Sequence, residues 1–414
     1  MKRILLLMCT LPLMFCSCED TDDEVVSGGK TKMDYSAIAK EVFDIIEKNY
    51  RITDGTHKGL MQENAPKKSN DPACSFIWPY DWYMSAVTLM DDLGYDVNYV
   101  YGVENYQRYW QPDGNGIHYF TGVEYKTPGY SSGTAGEVNS GNKTGDRYYD
   151  DSAWVAINLV DAYEKTKDEK YLQQAKATID FIYTGLDDEL GGGVWWNEAR
   201  RDPTNGKKYK PICTNGPFTV ALLKYYKACP DGMKDESILG TATSVYNWMT
   251  DVLQDKDYLY WGDIQDNGTI NKAKDPAITG MVMQCGVLLY ELTGDRMYLD
   301  NAILSADASF NHFVVYGDGV LLFPGEFTGS NIKLFRAYLA LAPYYSRAKQ
   351  YINAYTSYVT WVYKNKRTAE GFFYQNIQGD ANNPGNISYL INQSVYLEAF
   401  ASIALYQRDG KIRN

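Results

Sequence analysis

The sequence predicts an all-α protein, a toroid of six helical hairpins with short loops or strands on its rim. Three observations lead there: helical periodicity over most of the chain after residue 33, no alternation of strands with helices, and a two-helix motif that recurs at long range. Apolar residues at i, i+3, i+4 and i+7 mark helices near 34–50, 80–93, 97–111, 150–166, 169–184, 215–228, 236–253, 279–293, 297–313, 330–342, 345–364 and 390–407. The motif Tyr163-Glu164-x-Thr166-x-Asp168-x-x-Tyr171-Leu172-x-x-Ala175 returns as Tyr290-Glu291-x-Thr293-x-Asp295-x-x-Tyr298-Leu299-x-x-Ala302, every match 127 residues on. Each copy reads as the end of one helix, a tight turn and the start of the next, with Asp168 and Asp295 as caps for free N–H groups. The offset spans two hairpins. Twelve helices then make six stacked hairpins sharing one core, and closing them into a ring gives an α/α toroid. The Gly- and aromatic-rich loops between hairpins, such as 187–198 and 258–268, are where function is expected.

The beginning of the chain has a different composition. Met1-Lys2-Arg3 and the apolar run Ile4 to Phe15 read as a signal peptide, too short for a membrane-spanning helix. It ends in Cys16-Ser17-Cys18, which resembles a bacterial lipoprotein signal with Cys18 as the lipidated residue. The acidic stretch that follows cannot bury enough apolar surface to fold. The expected organisation is a signal at 1–18, a tether at 19–33 and a single catalytic domain at 34–414. That organisation implies an exported outer-membrane lipoprotein at the surface of a Gram-negative cell, touching the membrane through its lipid alone.

Net charge of −12 argues against nucleic acid or an anionic membrane surface as partner. The 37 Tyr and 9 Trp instead suit a neutral saccharide, whose apolar faces stack on aromatic rings. Beyond the signal, Cys74, Cys213, Cys229 and Cys285 form no CxxC pair and no zinc signature; they either pair or stay free and buried. The three histidines, His57, His118 and His312, lie near no Ser or Cys nucleophile signature, and phosphate-binding glycine loops are absent. No cofactor and no metal are expected, and the chain is expected to act as a monomer.

Paired carboxylates remain. Glycoside hydrolysis needs one carboxyl to protonate the leaving oxygen and another to attack the anomeric carbon or activate water. Asp150 and Asp151 stand between Tyr149 and Trp154 at the start of an apolar helix. Acids there also gain from the helix dipole, so on these residues alone a capped helix start is the stronger account of the pair. Asp91-Asp92 and Asp187-Asp188 show that acid pairs occur elsewhere. Asp81, beside Trp78, Tyr80 and Trp82, is a further candidate.

The stretch YYDDSAWVAINLVDAYEKTKDEKYLQQAKATIDFI, followed by DDELGGGVWWNE and TNGPFTVALLKYYK, resembles glycoside hydrolase family 76, the endo-α-1,6-mannanases of bacteria and fungi. The resemblance is close over residues 145–228 and looser beyond. It implies an (α/α)6 toroid, retaining hydrolysis of α-1,6-linked mannose in α-mannan, no metal, Asp150 as nucleophile and Asp151 as general acid/base. Trp195 and Trp196 would be sugar platforms, Asn215 a hydroxyl ligand, and Tyr149 and Asp81 further substrate contacts. One segment departs from the pattern: where the family carries Tyr-Asn-Gln-Gly, this chain reads Pro276-Ala277-Ile278-Thr279-Gly280. That leaves open a hydrolase of another α-glycan, or a non-catalytic glycan-binding lipoprotein on the same fold.

Overall fold

The computed structural model describes residues 33–112, 114, 116–134, 143–325 and 328–411. The signal peptide, Cys18 and all but the last residue of the tether lie outside the described residues. Twelve α-helices follow: α1 Tyr35–Tyr50, α2 Ile77–Asp92, α3 Tyr99–Glu104, α4 Tyr149–Thr166, α5 Glu169–Tyr183, α6 Ile212–Ala228, α7 Glu236–Leu253, α8 Pro276–Thr293, α9 Arg296–Phe313, α10 Thr328–Leu341, α11 Ala348–Asn365 and α12 Leu390–Asp409. The even-numbered helices form a closed inner ring, α2 on α4, α4 on α6, α6 on α8, α8 on α10, α10 on α12 and α12 back on α2. The odd-numbered helices pack outside it. The fold is an (α/α)6 toroid.

The two rings are written differently in the sequence. In α12 every residue from Leu390 to Leu405 is buried, and in α2 every one from Ile77 to Met90 except Trp78, so the inner helices are covered on all sides. The outer helix α1 buries only Ile38, Ala39, Val42, Phe43, Ile46 and Tyr50, one stripe at helical spacing. Each buried Leu, Ile, Val or Phe contributes roughly 1.5–3 kcal/mol, so the stripe alone secures α1 against α12. The inner helices also approach closely. A methyl added at Gly280 of α8 would lie 2.7 Å from the Lys333 carbonyl oxygen and the Leu334 backbone of α10.

The repeat is structural in both copies. Asp168 accepts from the Lys170 N–H at 3.1 Å and Asp295 from the Met297 N–H at 2.9 Å, capping α5 and α9, while Thr166 and Thr293 each accept from the amide of the capping aspartate at 3.2 Å.

One element differs from the periodicity. The helix expected over 97–111 is only α3, followed by a 3₁₀ turn at Asn105–Arg108 and a short strand at Trp110–Gln111. The apolar rings of this stretch serve the core without a helix: Tyr106 stacks edge-on against Tyr80, and Tyr109 bonds the Ser75 carbonyl. The rim loops contain short strands, chiefly the antiparallel sheet of Tyr209–Pro211, Asp263–Gln265 and Ile270–Asn271. Cys74, Cys213, Cys229 and Cys285 are free thiols.

Candidate active site

The N-terminal turns of the inner helices open on one cleft of about 610 Å³. α2 contributes Trp78 and Trp82, α4 Asp150, Asp151 and Trp154, α6 Cys213, α8 Ala277, Ile278 and Met281, and α10 Gly329, Ser330 and Lys333; Tyr148, Trp196 and Tyr209 come from the rim. All five helices begin at the same space, where the partial positive charge of helix N-termini favours anions and polar ligand oxygens. A second cavity of about 530 Å³ shares Tyr209, Cys213 and Ile278 with the first and continues along the rim sheet past Asn205, Asp263 and Asn271.

Asp150 and Asp151 fall in the first turn of α4, and neither is its N-cap. That position is held by Tyr148, whose side chain makes no capping bond. The Asp150 Oδ2 accepts from the Trp196 indole N–H at 3.0 Å, and Trp196 is fixed by stacking on Tyr209. Asp151 makes no side-chain hydrogen bond among the described residues. Burial pushes the Asp150 carboxyl up to about 6, opposed by the Trp196 bond and by first-turn N–H groups. Burial raises Asp151 further still, because the charges of Asp150 and Asp81 add to it. The pair therefore loses its first proton at Asp150 and keeps the second on Asp151.

Asp81 lies beneath the pair, 2% exposed, accepting from the Tyr106 hydroxyl at 2.7 Å; Tyr106 in turn accepts from Asn158 at 2.9 Å. It does not line the cleft, and where it is ionised its charge opposes ionisation of Asp151. Burial drives its own carboxyl well above the usual range.

Three expected ligands belong to the scaffold instead. Trp195 is buried, gives its N–H to Asp187 at 2.8 Å and lies against Lys210. Asn215 clamps the backbone of the preceding loop, accepting from the Val194 N–H at 2.7 Å and donating to the Val194 and Pro211 carbonyls. Tyr149 is buried against Phe181 with its hydroxyl on Thr184. Adjacent residues on a helix or extended strand face different ways, so in each aromatic doublet one member reaches the cleft, Tyr148 and Trp196, and the other the core.

The acid pair is held from behind by a buried ionic cluster. His118 Nε2 lies 3.0 Å from Glu198, and Arg147 Nε lies 3.1 Å from the same carboxylate. Burial alone would lower the His118 pKa, but its bonds to Asp146 and Glu198 prevail and raise it. Because Asp146 and Arg147 immediately precede Tyr148, this cluster fixes the approach to α4. Periodicity gives no sign of it, since its members are scattered from residue 118 to 198.

A toroid whose axial cleft joins a carboxyl pair to indole faces defines a glycoside hydrolase. Residues 51–323, more than half of the chain, match the model of glycosyl hydrolase family 76, and the chain belongs to that family. A family 76 mannosidase of Bacteroides thetaiotaomicron is similar in structure, with a TM-score of 0.75 at 22% identity over 91% of this chain and 100% of that one. A family 76 α-mannanase of the same species gives 0.73 at 22% identity over 91% and 97%. An α-1,6-mannanase of a Salegentibacter species, bound to α-1,6-mannotriose, gives 0.67 at 21% identity over 89% and 99%. At these identities the structures establish the shared fold. The Meiotically up-regulated gene 191 protein of Schizosaccharomyces pombe is 23% identical over 265 residues, 58% of this chain, and the chain spans about half the length (54%) of that relative.

Proposed function

We propose that the protein is a retaining hydrolase of α-1,6-linked mannose chains, held at the cell surface through lipidated Cys18. The observation that carries the chemistry is the first turn of α4, where two neighbouring carboxyls, Asp151 buried and Asp150 half-buried, both with raised pKa values, face an indole-lined cleft. Asp151, the later to ionise, gives its proton to the glycosidic oxygen while the Asp150 carboxylate attacks the anomeric carbon and forms a glycosyl ester. Asp151 then accepts a proton from water, whose oxygen displaces Asp150 and releases the sugar with its configuration retained. Trp196 holds Asp150 aligned and ionised.

The linkage is supported by the Salegentibacter relative, described as an α-1,6-mannanase that is inactive when two adjacent aspartates are replaced and that binds α-1,6-mannotriose in that state. The cleft continues into the second cavity, which suits a chain longer than one sugar and hence endo action. Ala277 and Ile278 make one wall apolar where the family pattern places polar groups, and this favours a second reading in which the glycan is a different one or is bound without cleavage. Incubation with linear α-1,6-mannan decides between them: oligosaccharides of several sizes are expected, whereas binding without product at high protein concentration overturns the hydrolase assignment.

A further inference from the structure

Lys333 stands apart from the other polar groups of the cleft. It projects from the second turn of α10 into the end of the cleft one helical turn deeper than Asp150 and Asp151, at the level of Trp82 and Trp154. Its ammonium lies 3.9 Å from the centre of the Trp82 ring and 3.8 Å from that of Trp154. The residue is 4% exposed and makes no hydrogen bond or ion pair among the described residues. The acids whose charges act on it are each held through one oxygen, Glu398 by Arg336 and Asp81 by the Tyr106 hydroxyl, and neither of them bonds the ammonium.

A buried ammonium without an oxygen partner is costly, because indole faces replace only part of the hydration it has lost. Burial and the charge of Arg336 bring its pKa down to about 7 against the pull of Glu398 and Asp81. The close crossing at Gly280, where α8 touches the Lys333 carbonyl, locks α10 in the position that aims this side chain into the cleft. No other Lys, Arg or His lines the cleft among the described residues. An ammonium in this setting lacks an acceptor oxygen within hydrogen-bond distance, and a sugar seated on Asp150 and Asp151 brings such oxygens as hydroxyls.

We propose that Lys333 is a specificity-determining residue of the site, donating hydrogen bonds from the floor of the cleft to hydroxyl oxygens of the sugar held between Trp82, Trp154 and the Asp150–Asp151 pair. This rests on the assignment of the protein as an α-1,6-mannan hydrolase. The lysine selects a sugar whose hydroxyls reach inward from the ring plane, and it does so from a helix that carries neither carboxyl.

The test is calorimetric titration of α-1,6-mannotriose into Asp151→Asn protein, with and without Lys333→Met, alongside thermal melts. Methionine keeps the length and lacks the donors. Lys333→Met is expected to weaken binding by about 10- to 100-fold, the range for a hydrogen bond to a charged donor. It should leave the melting temperature unchanged or higher, since an unpartnered buried amine has been removed. Mannotrioses lacking single hydroxyls sharpen the assignment: one of them should bind the Asp151→Asn parent weakly and lose no further affinity when Lys333→Met is added. Should the methionine variant fail to fold, Lys333→Gln, whose shorter and neutral amide makes a weaker bond, is expected to bind more weakly than the parent, and equal affinity for parent and glutamine variant would then overturn the proposal. Affinity within twofold of the parent for a folded Lys333→Met, whatever its melting point, overturns the proposal alone. A parent that binds no mannotriose overturns the function and this inference together.

Discussion

Helices α4 and α8 occupy corresponding places in the two copies of the repeat and are 18 residues each, yet they begin in opposite ways. Their C-terminal ends are alike: Lys167 and Gly294 both adopt left-handed backbone, and the next residues, Asp168 and Asp295, cap the following helix. At the N-terminus α8 is built for stability. Asp275 caps it, accepting from the Ala277 N–H at 2.8 Å and from the Ser330 hydroxyl at 2.8 Å, and Pro276 supplies the fixed φ favoured at the first position. α4 has Tyr148 in place of that cap and places two acids in the same turn, Asp151 buried and Asp150 half-buried. The end turned away from the cleft is the same in both copies because it only has to fold. The end facing the cleft differs because in α4 stability has been given up for a charged site.

Replacing either acid of α4 should break the comparison most. Asp150→Asn and Asp151→Asn are each expected to cut turnover of α-1,6-mannooligosaccharides by about a thousandfold or more, as for groups whose contribution arises in the transition state. Trp196→Phe should have a smaller effect, about tenfold, through loss of the indole bond to Asp150. It should also move the pH profile. The indole N–H lowers the Asp150 pKa, so its removal raises that pKa and shifts the acid limb, expected near pH 6, to higher pH.

The smallest effects are on stability and run in opposite directions in the two helices. Asp275→Ala removes a cap and should destabilise the fold by about 1–2 kcal/mol in denaturant unfolding. Asp151→Asn should stabilise it. A carboxyl whose folded pKa lies above its unfolded one carries no penalty when both states are protonated, and a growing one as the pH rises past the unfolded pKa, where the unfolded chain ionises and the buried group still holds its proton. The gain in melting temperature should therefore be clear at pH 8 and vanish near pH 3. A loss of stability at pH 8 would mean that Asp151 is an ordinary helix-start acid.

The rings of the toroid are legible because burial on one side or on all sides leaves different hydrophobic patterns, and the Thr-x-Asp turn is a local motif that folds the same way twice. The 97–111 segment reads falsely as one helix because Tyr106 and Tyr109 repeat at helical spacing while their rings are drawn inward by Tyr80 and the Ser75 carbonyl. In the site, the sequence offers the acid pair and Trp196 as candidates, and the structure places all three on the cleft. Trp195 and Tyr149 cannot be separated from true ligands, because which member of an aromatic doublet faces the cleft depends on the local backbone, and Asn215 cannot because its amide is taken up by the backbone of a loop that packs on α6 only in the fold. Lys333 gives no signal at all. It reads as one more polar residue of α10 until α2 and α4 close their indoles around it.

The division of labour within the first turn of α4 can be tested directly with azide rescue. Asp150→Ala and Asp151→Ala are each supplied with sodium azide and an α-mannoside bearing a good leaving group, and the product anomer is read by NMR. If Asp150 attacks the sugar, its alanine variant lets azide enter from the opposite face and gives the β-mannosyl azide, while Asp151→Ala still forms the glycosyl ester and gives the α-mannosyl azide. The opposite assignment of anomers, or the same anomer from both variants, would contradict Asp150 as the nucleophile and Asp151 as the proton donor.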